Sequence, residues 1–170
     1  MATIRPFKGF RPTPELCSKV AALPYDVMTS KEAREMVKND PYSFLHVDRA
    51  EIDLPENVDI YSKEVYEKAA SNLNKMIEDK VLIQDNKPVF YIYSLTMNGR
   101  EQIGLVVCTS IDEYLNNTIK KHEFTRADKE QDRINHVDYC NANTGPIFLT
   151  YKNQKTIDQI ISVSYTHLTL

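Results

Sequence analysis

Two runs rich in β-branched and aromatic residues, 88–96 and 102–109, flank Met97-Asn98-Gly99-Arg100. Asn-Gly between such runs supplies the two positive φ values of a type I′ turn, whose twist matches the strands it joins. This segment commits the chain to a β-hairpin. Both strands are apolar on both faces over part of their length, which predicts a central place in a sheet. Tyr91, Tyr93 and Leu95 share one face by the two-residue period and read as aromatic core.

Helical patterns surround the hairpin. Within 61–80, Val65, Ala69, Leu73, Met76 and Ile77 recur at three- and four-residue steps, so this longest helix packs one face against a sheet. Its other face, Lys63, Glu67, Asn74, Lys75 and Glu78, is solvated surface. Thr29 followed by Glu32 is a capping box; it opens a helix striped by Ala33, Met36 and Val37 and stopped at Asn39-Asp40-Pro41. Ser110 with Glu113 reads as a second capping box, for a short helix through Leu115 that Asn116-Asn117 breaks. Ser43–Val47 fits a strand, with His46 a hydrogen-bonded structural histidine beside its end. Acids at 51, 53, 56 and 59, with Pro55, mark a surface loop.

Asn141–Pro146 is a turn cluster, 146–151 a further strand, and Lys155–Ile161 a helix with Ile157, Ile160 and Ile161 on one side. Residues 1–28, punctuated by four prolines, are irregular. Within them Arg5, Lys8 and Arg11, on a backbone made pliable by Gly9, form either a solvated arm or a loop touching an anionic ligand. The last residues interrupt the final helical pattern and resemble sequencing-adapter read-through. The expectation is therefore one α+β domain over 1–162, the N-terminal fragment of a longer protein, followed by an aberrant tail at 163–170 that takes His167 out of the functional reasoning.

At 170 residues, 42% hydrophobic, 26% charged and with a net charge of −3, the chain can build one domain with a core. A general nucleic-acid binder would be basic, so that partner class is disfavoured. Small phosphorylated ligands need only a local cluster of positive charge and stay open. No apolar run approaches the ~20 residues that cross a bilayer, and MATIRPFKGF lacks the apolar core of a signal peptide, so no membrane association and a cytoplasmic location are expected. Cys17, Cys108 and Cys140, odd in number and without CxxC spacing, read as reduced, mostly buried thiols.

The chemistry concentrates in Lys120–Arg133, KKHEFTRADKEQDR, too charged to fill a core. Thr125 and Asp128 are placed to cap a helix running to about Tyr139. On it Arg126, Lys129, Glu130 and Arg133 share one face, with Ala127, Ile134 and Val137 supplying a thin apolar side. Two arginines and a lysine beside a helix N-terminus can hold phosphate oxygens through charge-assisted bonds. Glu123, just ahead of that terminus, is stabilised as a carboxylate by the helix dipole and could serve as a general base. The same spacings also describe a solvated, salt-bridged helix. His136 and Cys140 at i, i+4 could share a zinc ion with His122 or Asp138, but no second tight pair supports a metal site, and none is assigned. The glycines are scattered and no Ser or Cys has an identifiable base, so a P-loop or dinucleotide enzyme is not indicated.

The strings IRPFKGFRP, ALPYDVM, NDPYSFLHVDRAEIDL and HEFTRADKEQDR resemble the N-terminal half of the bacterial family known as domain of unknown function 1015, over about residues 1–153. That family is similar to the ParB/sulfiredoxin-like group, which includes nucleotide-dependent kinases of free L-serine. The resemblance implies an incomplete ParB/sulfiredoxin-like α+β fold: a small mixed or antiparallel sheet around the 88–110 hairpin, flanked by helices 61–80 and 125–139. It implies Glu123, of the His122-Glu123 pair, as catalytic base. His122, Arg126, Lys129 and Arg133 are expected around substrate and phosphate. The implied substrate is serine or a similar small hydroxyl compound, with ATP or ADP as phosphate donor and Mg²⁺ assisting. The group's phosphate-binding Asp-Gly-His-His-Arg string does not occur, so this fragment is expected to lack nucleotide phosphate binding and to be inactive. The alternatives are a non-catalytic nucleotide- or amino-acid-binding module and a ParB-like protein that docks on DNA.

Overall fold

The computed structural model describes residues 2–122 and 124–168, with the side chains of 165–168 outside the description. The chain opens with β1 (Ile4–Arg5), β2 (Phe10–Pro12), α1 (Cys17–Val20) and a 3-10 turn (Tyr25–Val27). There follow α2 (Ser30–Val37), α3 (Leu45–Asp48), a second 3-10 turn (Ala50–Asp53) and α4 (Lys63–Glu78). Next come β3 (Leu82–Gln84), β4 (Tyr91–Met97), β5 (Arg100–Val106), β6 (Cys108–Thr109) and α5 (Ile111–Leu115), then α6 (Ala127–Cys140) and α7 (Lys155–Leu168). The fold is α+β, as expected. Its strands pair antiparallel in three two-stranded sheets, β1–β6, β2–β3 and β4–β5.

The core is helical rather than sheet-based. The stripe on α4, Val65, Ala69, Leu73 and Met76, is buried together with Val20, Val47, Ala50, Val81, Leu82 and Cys140, so α4 is wedged between α3, the second 3-10 turn and α6. A smaller cluster joins Ala33 and Val37 of α2 to Leu45 and Ile52. The Thr29–Glu32 capping box forms in full: Thr29 Oγ1 accepts from Glu32 N, and the Glu32 carboxylate accepts from Thr29 N at 2.8 Å. Arg34 on the same helix donates to the carbonyls of Glu51, Ile52 and Leu54, terminating the second 3-10 turn.

The hairpin closes through Asn98 (φ 53) and Gly99 (φ 76), with Tyr91 opposite Val106 and Met97 opposite Arg100. Its faces are not buried as expected: Tyr93 and Leu95 are each 55% exposed and Met97 75%. A two-stranded hairpin is marginal alone, and this one is tethered at its base. Phe7 and Val89 exchange backbone hydrogen bonds. Tyr91 donates to Asp85 Oδ2 at 2.5 Å and accepts from Gly9 N at 2.7 Å. A Cβ on Gly9 would stand 2.7 Å from that phenolic oxygen, so the close approach requires glycine. Arg11 and the Tyr91 hydroxyl hold the Asp85 carboxyl down at about 2. Arg11 is thereby committed to Asp85, a structural use of the N-terminal cations.

Other expectations give way to local chemistry. Residues 43–47 form no strand but a turn that runs into α3 at Leu45: Asp40 accepts from Tyr42 N and Ser43 Oγ from Leu45 N, winding the chain after Pro41. Short apolar runs do not distinguish strand from helix by period alone. The Ser110 cap is not made, because Glu113 accepts instead from Thr3 N and Thr3 Oγ1, both at 2.7 Å. The run 146–151 stays irregular, with Ile147 and Phe148 exposed, since no strand edge among the described residues meets it. The last helix passes Ile161 unbroken to Leu168, with no Gly or Pro to stop it and Ser164 Oγ donating back to Ile160 O.

Two predictions follow from this packing. Leu73→Ala should lower unfolding free energy by about 2–5 kcal/mol in urea, and Leu95→Ala by less than about 1 kcal/mol. The second concerns His46, whose Nδ1 and Nε2 donate to Asp53 Oδ1 (2.9 Å) and Asp40 O (3.1 Å), so both ring nitrogens are protonated. The Asp53 bond raises the His46 pKa. Burial pushes the Asp53 carboxyl up, but bonds from His46 and Asn72 outweigh it and leave it below its ordinary value. The His46 contribution is complete below about pH 6.5 and is lost as pH rises through its raised folded value; that of Asp53 is complete above about pH 4 and lost on acidification. The stability advantage of wild type over Asp53→Asn should therefore peak between about pH 4 and 6.5 and shrink above it.

Candidate functional site

α6 begins at Ala127, with Arg126 as N-cap and no side-chain cap; neither Thr125 nor Asp128 plays the expected capping role. Its buried face is also not the expected one. Ala127 and Ile134 are exposed, whereas His136 (3% exposed) and Cys140 are buried. The face turned to the rest of the molecule carries Asp132, Arg133, His136 and Cys140, with the exposed Lys129 at its edge, and Lys129, Asp132, Arg133 and His136 each reach a partner outside α6.

Lys129 Nζ donates to Tyr61 Oη at 2.7 Å and lies 5.3 Å from the Tyr61 ring centroid. Four residues on, the Arg133 guanidinium lies 4.4 Å over the ring of Tyr25. Its Nε and Nη2 donate to Asp132 Oδ2 at 3.2 and 2.9 Å, while Tyr66 Oη donates to Asp132 Oδ1 at 2.9 Å. The carboxylate of Asp132 thus ties the arginine to α4. One turn further, His136 Nε2 donates to Val47 O at 3.0 Å, and Nδ1 lies 3.9 Å from Cys140 Sγ.

These contacts fix the direction of packing. Tyr61 meets Lys129, Tyr66 meets Asp132 and Tyr139, and Leu73 and Met76 share a cluster with Cys140. α4 and α6 therefore run the same way, and their N-termini, each the positive end of a helix dipole, lie at one end of the molecule with Lys129, Arg133 and Tyr25. Asp48 of α3 lies close enough for the charges of Arg133 and His136 to act on it. Burial raises its carboxyl pKa against the opposing pull of Thr144, His136 and Arg133, and its Oδ1 is buried without a partner among the described residues.

Of the site residues read from sequence, Arg133 is built into this corner and Lys129 borders it. Arg126 is turned to Asp128, with Nε and Nη2 donating at 3.1 and 2.8 Å, and holds that carboxyl below its ordinary range. His122 is exposed. Glu123 lies outside the described residues. His136 and Cys140 adjoin, but each makes the hydrogen bond described above, and no group of three metal-capable side chains occurs among the described residues. Sequence reasoning passed over Tyr25, Asp48, Tyr61 and Asp132. Tyr25 and Asp48 stand inside two of the strings that carry the family resemblance, which was the available signal. An open cleft of about 350 Å³ lined by Ala21–Leu23, Met36, Val37, Asp40, Ser43 and Leu45 contains none of these groups.

The profile of a family described as protein of unknown function (DUF1015) matches residues 4–168. The chain belongs to that family. No curated protein and no solved structure matches it.

The thiols differ from expectation, since Cys17 and Cys108 are exposed and Cys140 alone is buried. Burial, with the nearby Asp48 charge, pushes the Cys140 thiol up to about 11. At pH 8 an aromatic disulfide reagent should label Cys17 and Cys108 in the native protein and reach Cys140 only after denaturant is added.

Proposed function

We propose that this corner is the acceptor-side half of a phosphoryl-transfer site acting on serine or a similar small hydroxyl compound. The observation that carries the reading is the parallel packing of α4 and α6, which gathers two helix N-termini, Lys129 and Arg133 at one end. Such an end favours bound anions. The resemblance of the family's sequence strings to the ParB/sulfiredoxin-like group, with its serine kinases, is what suggests the same chemistry and a cytoplasmic location; no described helix is long and apolar enough to cross a membrane.

In this reading Arg133, Lys129 and Arg126, with His122 beside them, hold phosphate oxygens of ATP or ADP, and Glu123 takes the proton of the substrate hydroxyl. The hydroxyl oxygen then bonds to the terminal phosphorus as the bridging P–O bond breaks and its electron pair leaves with the shortened nucleotide. Mg²⁺ would neutralise phosphate charge. The nearby carboxylates Asp128 and Asp132 are held by Arg126 and by Arg133 with Tyr66, so neither is placed to ligate the metal. A second reading, a non-catalytic module binding a nucleotide or amino acid, draws support from the same pairings, which give the cations counter-groups of their own.

The test is phosphoserine formation from L-serine with ATP, ADP or pyrophosphate, followed by phosphorus NMR. The 170-residue chain, which has no Asp-Gly-His-His-Arg string, should give no turnover; any longer native form that carries one should be active. There, Glu123→Gln should lower kcat by about 10²–10⁴ with ligand binding kept. Unchanged turnover would remove the role given to Glu123, and binding without turnover in every form would favour the second reading.

A further inference from the structure

The 3-10 turn that presents Tyr25 has no buried residue of its own, so the core does not hold it. What reaches it from inside is Arg49. Nη1 donates to Tyr25 O at 3.4 Å, and Nη2 donates to Ser30 Oγ at 2.9 Å. Glu51, 7% exposed, closes the loop. Its Oε1 accepts from Ser30 Oγ at 2.8 Å and lies 3.0 Å from Arg49 Nε, an ion pair whose angle falls outside a hydrogen bond. The chain from Tyr25 to Ser30 is thus gripped at both ends, and the Thr29–Glu32 capping box fixes it immediately beyond.

A buried ion pair is weak evidence for stability, because desolvation offsets most of its attraction, and an apolar pair of equal volume often serves as well. An exposed turn carrying a ring that lies 4.4 Å from a guanidinium on another element needs a rigid, directional support. We infer that Arg49, Glu51 and Ser30 are positioning residues that hold Tyr25 against Arg133 and so set how well this end of the molecule binds anions. The inference rests on the anion-binding reading above, but its geometric part can be measured without any ligand.

The experiment uses the whole chain, with Arg49→Lys and the milder Ser30→Ala as variants. Val37→Ala, in the neighbouring core cluster, serves as a control that lowers stability without touching the clasp. The first readout is the Nε–Hε resonance of Arg133, which the ring current of Tyr25 displaces; Tyr25→Leu gives the reference for a lost stack. Arg49→Lys should carry the resonance most of the way to that reference and Ser30→Ala part of the way, with Val37→Ala leaving it in place. The second readout is the dissociation constant of pyrophosphate, followed at Arg133 and Lys129. Arg49→Lys should weaken it about tenfold, Val37→Ala should leave it unchanged, and Arg49→Lys should add nothing further once Tyr25→Leu is present. If the Arg133 resonance stays put in Arg49→Lys and Ser30→Ala, the clasp is not a positioning device. If it moves as expected while pyrophosphate leaves Arg133 and Lys129 undisturbed in wild type, the clasp stands and the anion-binding reading of this corner falls.

Discussion

Burial of one stripe on α4 is the constraint on which the rest of the structure depends. Val65, Ala69, Leu73 and Met76 need cover on more than one side, and α3, the second 3-10 turn and α6 provide it. At about 1.5–3 kcal/mol for each large apolar side chain removed from water, this stripe outweighs any other single contact set in the molecule. Because α6 lies parallel to α4, the chain must return to the start of α4 before α6 can begin. β3, the hairpin, β6 and α5 make that return. The hairpin is therefore a connection anchored at its base by Tyr91 and Phe7, which explains why its aromatic face stays wet although its sequence suits a core.

The parallel arrangement has an electrostatic consequence. Antiparallel helices pair a positive end with a negative one, whereas here two positive ends meet and the cations Lys129 and Arg133 are added to them. That accumulation is tolerated because each cation has local compensation: the phenol of Tyr61, the ring of Tyr25 and the carboxylate of Asp132. Beneath them the partnerless Oδ1 of Asp48 is an exception among buried polar atoms, which ordinarily find partners at a penalty of about 1–3 kcal/mol when they do not.

The sequence made the short-range features legible. α4, the Thr29 capping box and the Asn98-Gly99 turn are each fixed by a pattern within a few residues, and each is present. Features decided by competition at longer range were not legible. Glu113 faces two possible donors, and Thr3, more than a hundred residues away in the chain, wins over the local cap. The face of α6 was misread because hydrophobicity was taken as the guide to burial. Ile134 is apolar and exposed, while His136 is polar and buried because Val47 O satisfies it. In the site, Arg133 could be found from its charge and its helical position. Tyr25 could not be placed beside it, since a stack between a loop and a distant helix leaves no periodic trace.

The same geometry separates the cations into two kinds. Arg126 is 77% exposed and paired with a half-exposed Asp128. Such pairs contribute about 0–1 kcal/mol, so Arg126 can exchange its partner for a phosphate at little loss. Arg133 is held on two sides, by the Tyr25 ring and by Asp132, which Tyr66 fixes in turn. A guanidinium fixed in this way loses little rotamer entropy on binding, and the N–H groups not spent on Asp132 are left for an incoming anion. A ligand arriving at this end would meet one preset donor and two adaptable ones, so orientation would come from Arg133 and closure from Lys129 and Arg126. On the proposed anion-binding reading, selectivity would depend first on what holds Tyr25 over Arg133, and only secondarily on how many positive charges surround it.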